Sequence, residues 1–366
     1  MEKWRENQNV KILTELPIAK LLDHQLERYN LESIHSSPLQ KFDAKQAVAQ
    51  LHANEGAQVL GADFGGDKGI VRLFEVKNGS LVTIEGYSDD IQGDDGRGYL
   101  QTIERASAYA LENSLPFGLT WGGPMDGTQV LFHPKAKQFI GELNEVYDGD
   151  LAAVSPSITA CMNDGPAGLV RGAVEAYKLY STENVAFVIN GGGLGFGMLA
   201  NKTIHATEAG HVEGVAELNT YDQTTPCGVF SAEYVCIERL GANKAGIEDQ
   251  WQLKTGSYMR ARDIEDRYKE GNQLAGELYE HSAYVAAHMI AGAVGAYGIA
   301  LDDPSLAIVC HGGAFKFPYY GDRVLQLLAQ KTDSAPRMLM TKDFGAENSN
   351  ACLEGAAIMG LLARPA

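Results

Sequence analysis

Twice along this chain an apolar run stops at a glycine-rich turn and a second apolar run leaves it. The first run is Val59-Leu60-Gly61-Ala62-Asp63-Phe64, its turn is Gly65-Gly66-Asp67-Lys68, and the return is Gly69-Ile70-Val71-Arg72. The second is Val185 to Asn190, the turn Gly191-Gly192-Gly193, and the return Leu194 to Ala200. Each reads as two antiparallel strands joined by a tight hairpin, the glycines permitting backbone angles that other residues resist. Alone, either is an ordinary hairpin. Repeated, and each opening a long mixed segment, they predict two related lobes that face each other. Glycine amides approach phosphate closely, and Asp63 beside them could hold a cation. The repeat therefore allows a polyphosphate clamp as well as a structural duplication.

The stretches between the hairpins alternate strands and helices. Ser80 to Tyr87 reads as a third strand, followed by an acidic loop from Ser88 to Gly98 and a helix near Tyr99 to Asn113. Leu115 to Trp121 is a strand ending in Gly122-Gly123-Pro124, where a parallel sheet presents its ligands. Pro134 opens a helix over about 135–147. A strand ending at Asn163-Asp164 runs into a helix started by Gly165-Pro166 and continuing to Tyr180. By position alone that Asn-Asp pair is either a helix cap or a reacting pair. Further on come Glu208-Ala209-Gly210-His211, a helix over about Ser231 to Leu240, and a charged stretch of poor periodicity from Lys244 to Asn272. His211 taken alone is a satisfied structural histidine, a hydroxyl partner or a metal ligand. A strand at Leu306 to Cys310 meets a third glycine turn, His311-Gly312-Gly313. Arg337 to Met340 is a last strand and Asn350 to Leu362 a closing helix. Before the first hairpin, Glu2 to about Ala53 reads as a helical extension with a loop at Ser36-Ser37-Pro38.

Length and charge set outer bounds. With 366 residues, 45% of them hydrophobic and 21% charged, the chain can form two lobes with cores of ordinary size. A net charge of −17 excludes a general nucleic-acid surface, which needs concentrated Lys and Arg. The five cysteines are scattered with no C-x-x-C pair, which predicts free thiols and a cytoplasmic protein. The uncharged run from Ser282 to Leu301 is rich in Ala and Gly, holds His288 and is flanked by Glu280, Asp302 and Asp303. It predicts a helix buried between lobes rather than a membrane span.

In this order the motifs resemble the ROK family of sugar kinases and sugar-responsive repressors, within the actin, heat-shock chaperone and hexokinase-like superfamily. Asp63-Phe-Gly-Gly-Asp-Lys68 is similar to that family's first phosphate loop, D-x-G-G-T-K, and Gly122-Gly123-Pro124 to its sugar-side turn. Asn163-Asp164 matches its N-D pair, and Gly191 to Gly197 its second phosphate loop. Glu208 to His211 matches E-I-G-H, and His311-Gly312-Gly313 its nucleotide-side turn. Each motif is weak singly; six in order are specific.

The resemblance implies a two-lobed ribonuclease-H-like α/β fold, of the actin-like ATPase kind, with an interlobe cleft and an N-terminal helical extension. Its divisions fall at 1–55, 56–182 and 183–349, with a helix over 350–366 packing back on the first lobe. It implies a glucokinase-like enzyme using ATP and Mg2+ to phosphorylate a hexose or amino sugar, acting as a homodimer. Asp164 is then the general base, and Asn163, Glu208, His211, Glu233 and Gly123 bind the sugar. Gly65, Gly66, Lys68, Gly191, Gly192, Gly193, Gly312 and Gly313 meet the nucleotide, while Asp63 holds Mg2+ through water.

Three departures stand out. Many relatives bind structural zinc through the E-I-G-H histidine and a C-x-C-G-x-x-G-C cluster, of which only Cys227 remains here. Cys236 lies too far along the chain to replace the others without rearrangement, so no zinc site is expected. The loop between His211 and Cys227 is long, which loosens the placement of Glu233. The phosphate-loop threonines are replaced by Asp67 and Gly192, and a carboxylate beside an anionic nucleotide would weaken its binding by about 1–3 kcal/mol. The competing expectation is therefore a non-catalytic sugar-binding or regulatory protein.

Overall fold

The computed structural model describes residues 37–65, 68–92, 96–123, 125–130, 149–207, 209–214, 226–227, 234–330, 332–344 and 350–363. The chain divides into two compact units. The N-terminal unit comprises Gln40–Val185, Asn201–Ile204 and Phe344–Ala366; the C-terminal unit comprises Met1–Leu39, Ala186–Ala200 and His205–Asp343. The helices expected before residue 37 and over 135–147 lie outside the described residues.

Strand β1 is Ser37–Lys41 and helix α1 is Ala44–Ala53. Here the expected loop at Ser36-Ser37-Pro38 gives way to a strand at the edge of a sheet, a place that tolerates proline because no ladder donor is needed. Asp43 caps α1 by accepting from the amide of Gln46 at 3.1 Å, and Lys202 pairs with the same carboxylate at 2.7 Å.

The first glycine turn joins β2 (Gln58–Phe64) to β3 (Lys68–Lys77) as an antiparallel hairpin. Strand β4 runs over Ser80–Gln92, five residues further than expected. The acidic residues read as loop stay in the ladder because their charges are paired. Arg72 grips Asp90 from the neighbouring strand, and Arg105 holds Asp89 at 2.7 Å. There follow α2 (Gly96–Glu112), β5 (Phe117–Trp121), the short pair β6 (Met125–Asp126) and β7 (Gln129–Val130), α3 (Leu151–Val154), β8 (Ile158–Asn163) and α4 (Asp164–Tyr180). Five strands form one sheet in the order β4-β3-β2-β5-β8, with β2, β5 and β8 parallel. Its core is anchored by Phe64, Tyr99 and Trp121, whose ring centroids lie 5.3 to 6.3 Å apart.

The C-terminal unit repeats the hairpin with β9 (Asn184–Asn190) and β10 (Leu194–Ala200), then adds β11 (Thr203–Thr207) and a 3-10 turn at Ala209–His211. Helix α5 is Ile237–Gly241, beginning later than the expected Ser231. The charged stretch expected to lack periodicity is helical: a wide i→i+5 segment at Asn243–Asp249, then α6 (Gln250–Thr255) and α7 (Ala261–Lys269). The Ala/Gly run belongs to α8 (Gln273–Ala296), buried in this unit's own core with Val285, Met289 and Ile290. Among the described residues no helix is long and apolar enough to cross a membrane. The unit closes with β12 (Leu306–His311), α9 (Gly313–Lys316), α10 (Pro318–Ala329) and β13 (Met338–Met340). The second sheet has the order β1-β11-β10-β9-β12-β13.

The final helix, α11 (Ala351–Leu362), belongs to the N-terminal unit and lies on β2, β5, β8 and α4. Glycines let backbones touch there. A Cβ on Gly118 of β5 would sit 1.8 Å from the carbonyl oxygen of Ala356, and one on Gly355 would sit 1.7 Å from that of Ala167. Buried Arg171 of α4 ties the helix down, its Nε 2.5 Å from Glu354 Oε2. The same guanidinium also pairs with Glu175.

Candidate active site

Parallel strands end level with one another in the N-terminal unit. Phe64 of β2 is opposite Trp121 of β5, which is opposite Asn163 of β8. This places Asp63, the Gly122-Gly123 turn and the Asn163-Asp164 pair along one carboxyl edge, where α/β sheets bind ligands. The turn is drawn in tightly: Gly122 donates to the carbonyl of Phe64 at 2.8 Å, and a Cβ on Gly122 would be 3.0 Å from Gly65 Cα. A side chain there would push the two loops apart.

Asn163 organises this edge. Its Oδ1 accepts from Gly165 N at 3.1 Å and so caps α4, while Nδ2 donates to the carbonyls of Gly123 at 2.8 Å and Trp121 at 3.3 Å. Two of the predicted sugar-site residues, Asn163 and Gly123, are thus bonded directly to each other. Asp164 begins α4 and its Oδ1 accepts from Gly165 N at 2.8 Å, a bond that fixes the carboxylate's direction. Both readings of the pair, cap and reacting group, are compatible with this geometry. The cap is Asn163.

Asp63 is held from the far end of the chain by Asn350, whose Nδ2 donates to Oδ2 at 2.6 Å. Burial pushes the Asp63 carboxyl above the usual range, outweighing the pull of Asn350 and Lys68 in the other direction. The Asp63 carboxylate, at the carboxyl end of β2, offers the hard oxygen ligand that Mg2+ takes. Cys352 lies beside both acids: burial first, then the charges of Asp63 and Asp164, push its thiol up. Gly66 and Asp67 lie outside the described residues, and exposed Lys68 begins β3.

In the C-terminal unit the second glycine turn is built on a buried amide. Asn190 Nδ2 donates to Tyr320 Oη at 2.7 Å and to Gly241 O at 3.0 Å, and its Oδ1 accepts from Asn243 N at 3.0 Å. The turn closes through Gly191 N to Gly193 O at 2.9 Å. Nothing lies within 4 Å of a Cβ placed on Gly191 or Gly192, so the tip is open to a ligand such as a phosphate. Gly312 has φ +102°, and a Cβ there would come 2.3 Å from Asn190 O; only glycine serves. The two predicted glycine turns, 191–193 and 312–313, therefore meet at Asn190.

Sequence reasoning missed Glu238. Its Oε2 accepts from Leu194 N at 3.1 Å, directly after the glycine turn. The available signal was an acid in the first turn of a helix two residues beyond Cys236. Glu208 and Glu233, the predicted sugar-binding acids, lie outside the described residues. His211 Nδ1 is 3.5 Å from Cys227 Sγ. The expectation that Cys236 lies too far along the chain to join them is overturned: the ligand atoms of His211, Cys227 and Cys236 all lie within 4.8 Å of one another. Backbone pairing brings the two cysteine-bearing stretches together, with Cys227 N bonded to Tyr234 O at 2.8 Å. Burial first, with Cys227 alongside, pushes the Cys236 thiol up to about 12.

No curated protein matches the sequence as a relative. Solved structures share its fold. A ROK hexokinase from Thermus thermophilus is 20% identical with a TM-score of 0.60, covering 82% of this chain and 97% of its own. A ROK family glucokinase from Streptomyces griseus, in complex with glucose and AMPPNP, is 17% identical with a TM-score of 0.56, covering 82% and 98%. A ROK family transcriptional regulator, a homologue of the E. coli MLC protein, is 16% identical with a TM-score of 0.56, covering 91% and 86%. The pattern described as "ROK family" matches residues 174–361, just over half of the chain. With its two mixed α/β sheets in the actin-like ATPase fold, this chain belongs to the ROK family.

Proposed function

We propose that the protein is a sugar kinase that transfers the γ-phosphoryl group of ATP to a hydroxyl of a hexose or amino sugar. The observation that carries this reading is the level carboxyl edge of β2, β5 and β8, which sets Asp63 and Asp164 at the ends of parallel strands with a braced turn between them. Asp164 accepts the proton of the sugar hydroxyl as that oxygen forms its bond to the γ-phosphorus and the bond to ADP breaks. Asn163 acts as a brace, holding the Gly123 turn and the start of α4 so that Asp164 keeps its aim. Lys68 and the glycines at 65, 66, 191–193, 312 and 313 meet the nucleotide's phosphates. Mg2+ bound near Asp63 supplies charge neutralisation on those phosphates. Glu208, His211, Glu233 and Gly123 are the proposed sugar contacts, with Glu238 a further acid at the second glycine turn. A homodimer in the cytoplasm is part of the same reading.

A regulatory, sugar-binding protein without turnover is the second reading. It is favoured by Asp67 and Gly192, each standing where the family's phosphate loops carry threonine, and one of the structural matches is described as a transcriptional regulator. An ATP-coupled assay over hexoses and N-acetylhexosamines, with calorimetric sugar binding alongside, separates the two. Turnover that Asp164→Asn lowers by about 10²-fold or more, with sugar binding kept, supports the kinase. Tight sugar binding without turnover of any member of the panel sinks it.

A further inference from the structure

A cavity of about 450 Å3 lies in the C-terminal unit between α6 and the junction of α7 with α8. Trp251, Ser257, Met259, Arg267, Glu270 and Asn272 line it. None of them belongs to the proposed kinase site. We propose that this cavity is a second binding site, for a neutral saccharide that packs on Trp251 and bonds its hydroxyls to the Arg267–Glu270 pair.

The walls are fixed by local bonds. Helix α6 stops at Gly256, which has φ +74° and bonds its amide to Gln252 O at 2.8 Å. Thr255 Oγ1 donates to Trp251 O at 2.8 Å and accepts from Ser257 N at 3.2 Å. Glu248 holds the next stretch, accepting from Tyr258 Oη and from Ala261 N, both at 2.9 Å. On the other wall Gly271 has φ +83°, and Asn272 bonds its amide to Arg267 O at 3.0 Å. The Asn272 side chain then caps α8, its Oδ1 accepting from Ala275 N at 3.0 Å. A pocket already formed, and of a size that small-ligand sites share, binds without ordering new chain.

The lining selects the ligand. Arg267 and Glu270 pair at 3.0 Å with side chains 52% and 63% exposed, so they form the rim and their charges cancel. Such a rim favours neither an anion nor a cation. It suits hydroxyls, which donate to a carboxylate and accept from a guanidinium. Trp251 and Met259 supply apolar surface for the C–H face of a sugar ring. Trp251 is buried, and its Nε1, a donor only, has no acceptor among the described residues. A buried donor left without a partner calls for one, and a saccharide oxygen drawn against the indole supplies it.

Indole N–H resonances test this without reference to turnover, because the chain has only three tryptophans, Trp4, Trp121 and Trp251. In 1H–15N spectra of the full chain, the resonance that Trp251→Phe removes should shift saturably as glucose, N-acetylglucosamine or maltose is added. Where that variant fails to fold, the backbone amides of Ser257 and Asn272 take the same test. Arg267→Ala and Glu270→Ala should each raise the half-saturation point by about tenfold. Asn163→Ala, in the proposed kinase site, should leave it unchanged. No shift with any of the three sugars up to about 50 mM overturns the site. A shift that Asn163→Ala abolishes is relayed from the kinase site and overturns it too, as does one that neither rim variant alters. A larger shift with inorganic phosphate than with any sugar overturns the saccharide assignment.

Discussion

Asn350 Nδ2 donates to Asp63 Oδ2 at 2.6 Å, joining residues 287 positions apart. The same side chain caps α11, its Oδ1 accepting from Cys352 N at 3.1 Å and Leu353 N at 3.3 Å. One asparagine thereby starts the last helix and orients the acid at the first glycine turn. Asn350→Ser keeps a capping oxygen and removes the amide; Asn350→Ala removes both. The alanine variant should lose about 1–2 kcal/mol in urea unfolding, and the serine variant much less. Both should slow turnover alike under the kinase reading. Equal stability losses in the two would show that the cap is not what Asn350 contributes.

The close backbone contacts of α11 predict a sharp contrast between two glycine substitutions. Gly118→Ala places a methyl 1.8 Å from Ala356 O, so the helix must shift, at a cost of about 3 kcal/mol or more. Gly276→Ala in α8 meets nothing within 4 Å and should stabilise by about 0.5–1 kcal/mol through helix propensity. Differential scanning calorimetry of the two variants reads both signs at once.

Acid stability should depend on the cluster around Arg171. Burial alone would raise the carboxyl of Glu175, but Arg171 and Lys178 outweigh it and hold it below the usual glutamate range. A carboxyl depressed by folding adds stability above its unfolded value, near 4.5, and that stability is lost as pH falls through the folded value. A series of Tm values from pH 7 down to 3 should fall less steeply below 4.5 in Glu175→Gln than in the wild type. Arg171→Met, leaving buried Glu354 without its partner, should cost about 3–5 kcal/mol at neutral pH.

Tyr320→Phe tests the support of the second glycine turn. The phenol accepts from Asn190 Nδ2 at 2.7 Å and meets Ser282 Oγ at 3.1 Å. Removing it from this buried network should cost about 1–3 kcal/mol. Under the kinase reading it should raise the KM for ATP more than that for sugar. The reverse order would place Asn190 on the sugar side.

The two hairpins were legible because each joins two apolar runs through a glycine turn, the local pattern of a tight hairpin. Asn163 and Asp164 were legible by position, at a strand end before a proline-started helix. The helical stretch from Asn243 through α7 was not, although Ile247 and Trp251, and then Ile264 and Tyr268, are buried four residues apart. Surrounding charges hid that period, and the break at Gly256 split it. The meeting of Cys236 with His211 was invisible for a different reason. Distance along the chain says nothing about a long-range backbone bond such as that from Cys227 N to Tyr234 O.

Helix α11 carries one more implication, for the order in which the protein can be made. It covers β2, β5 and β8, and the Asp63–Asn350 bond closes a span of 287 residues. While the chain is still on the ribosome, the strand bearing Asp63 and the strand that leads into Asp164 wait with that face bare until residues 351–362 emerge. The unit synthesised first is therefore completed last, and a nascent chain stalled before α11 would present an uncovered apolar sheet to chaperones.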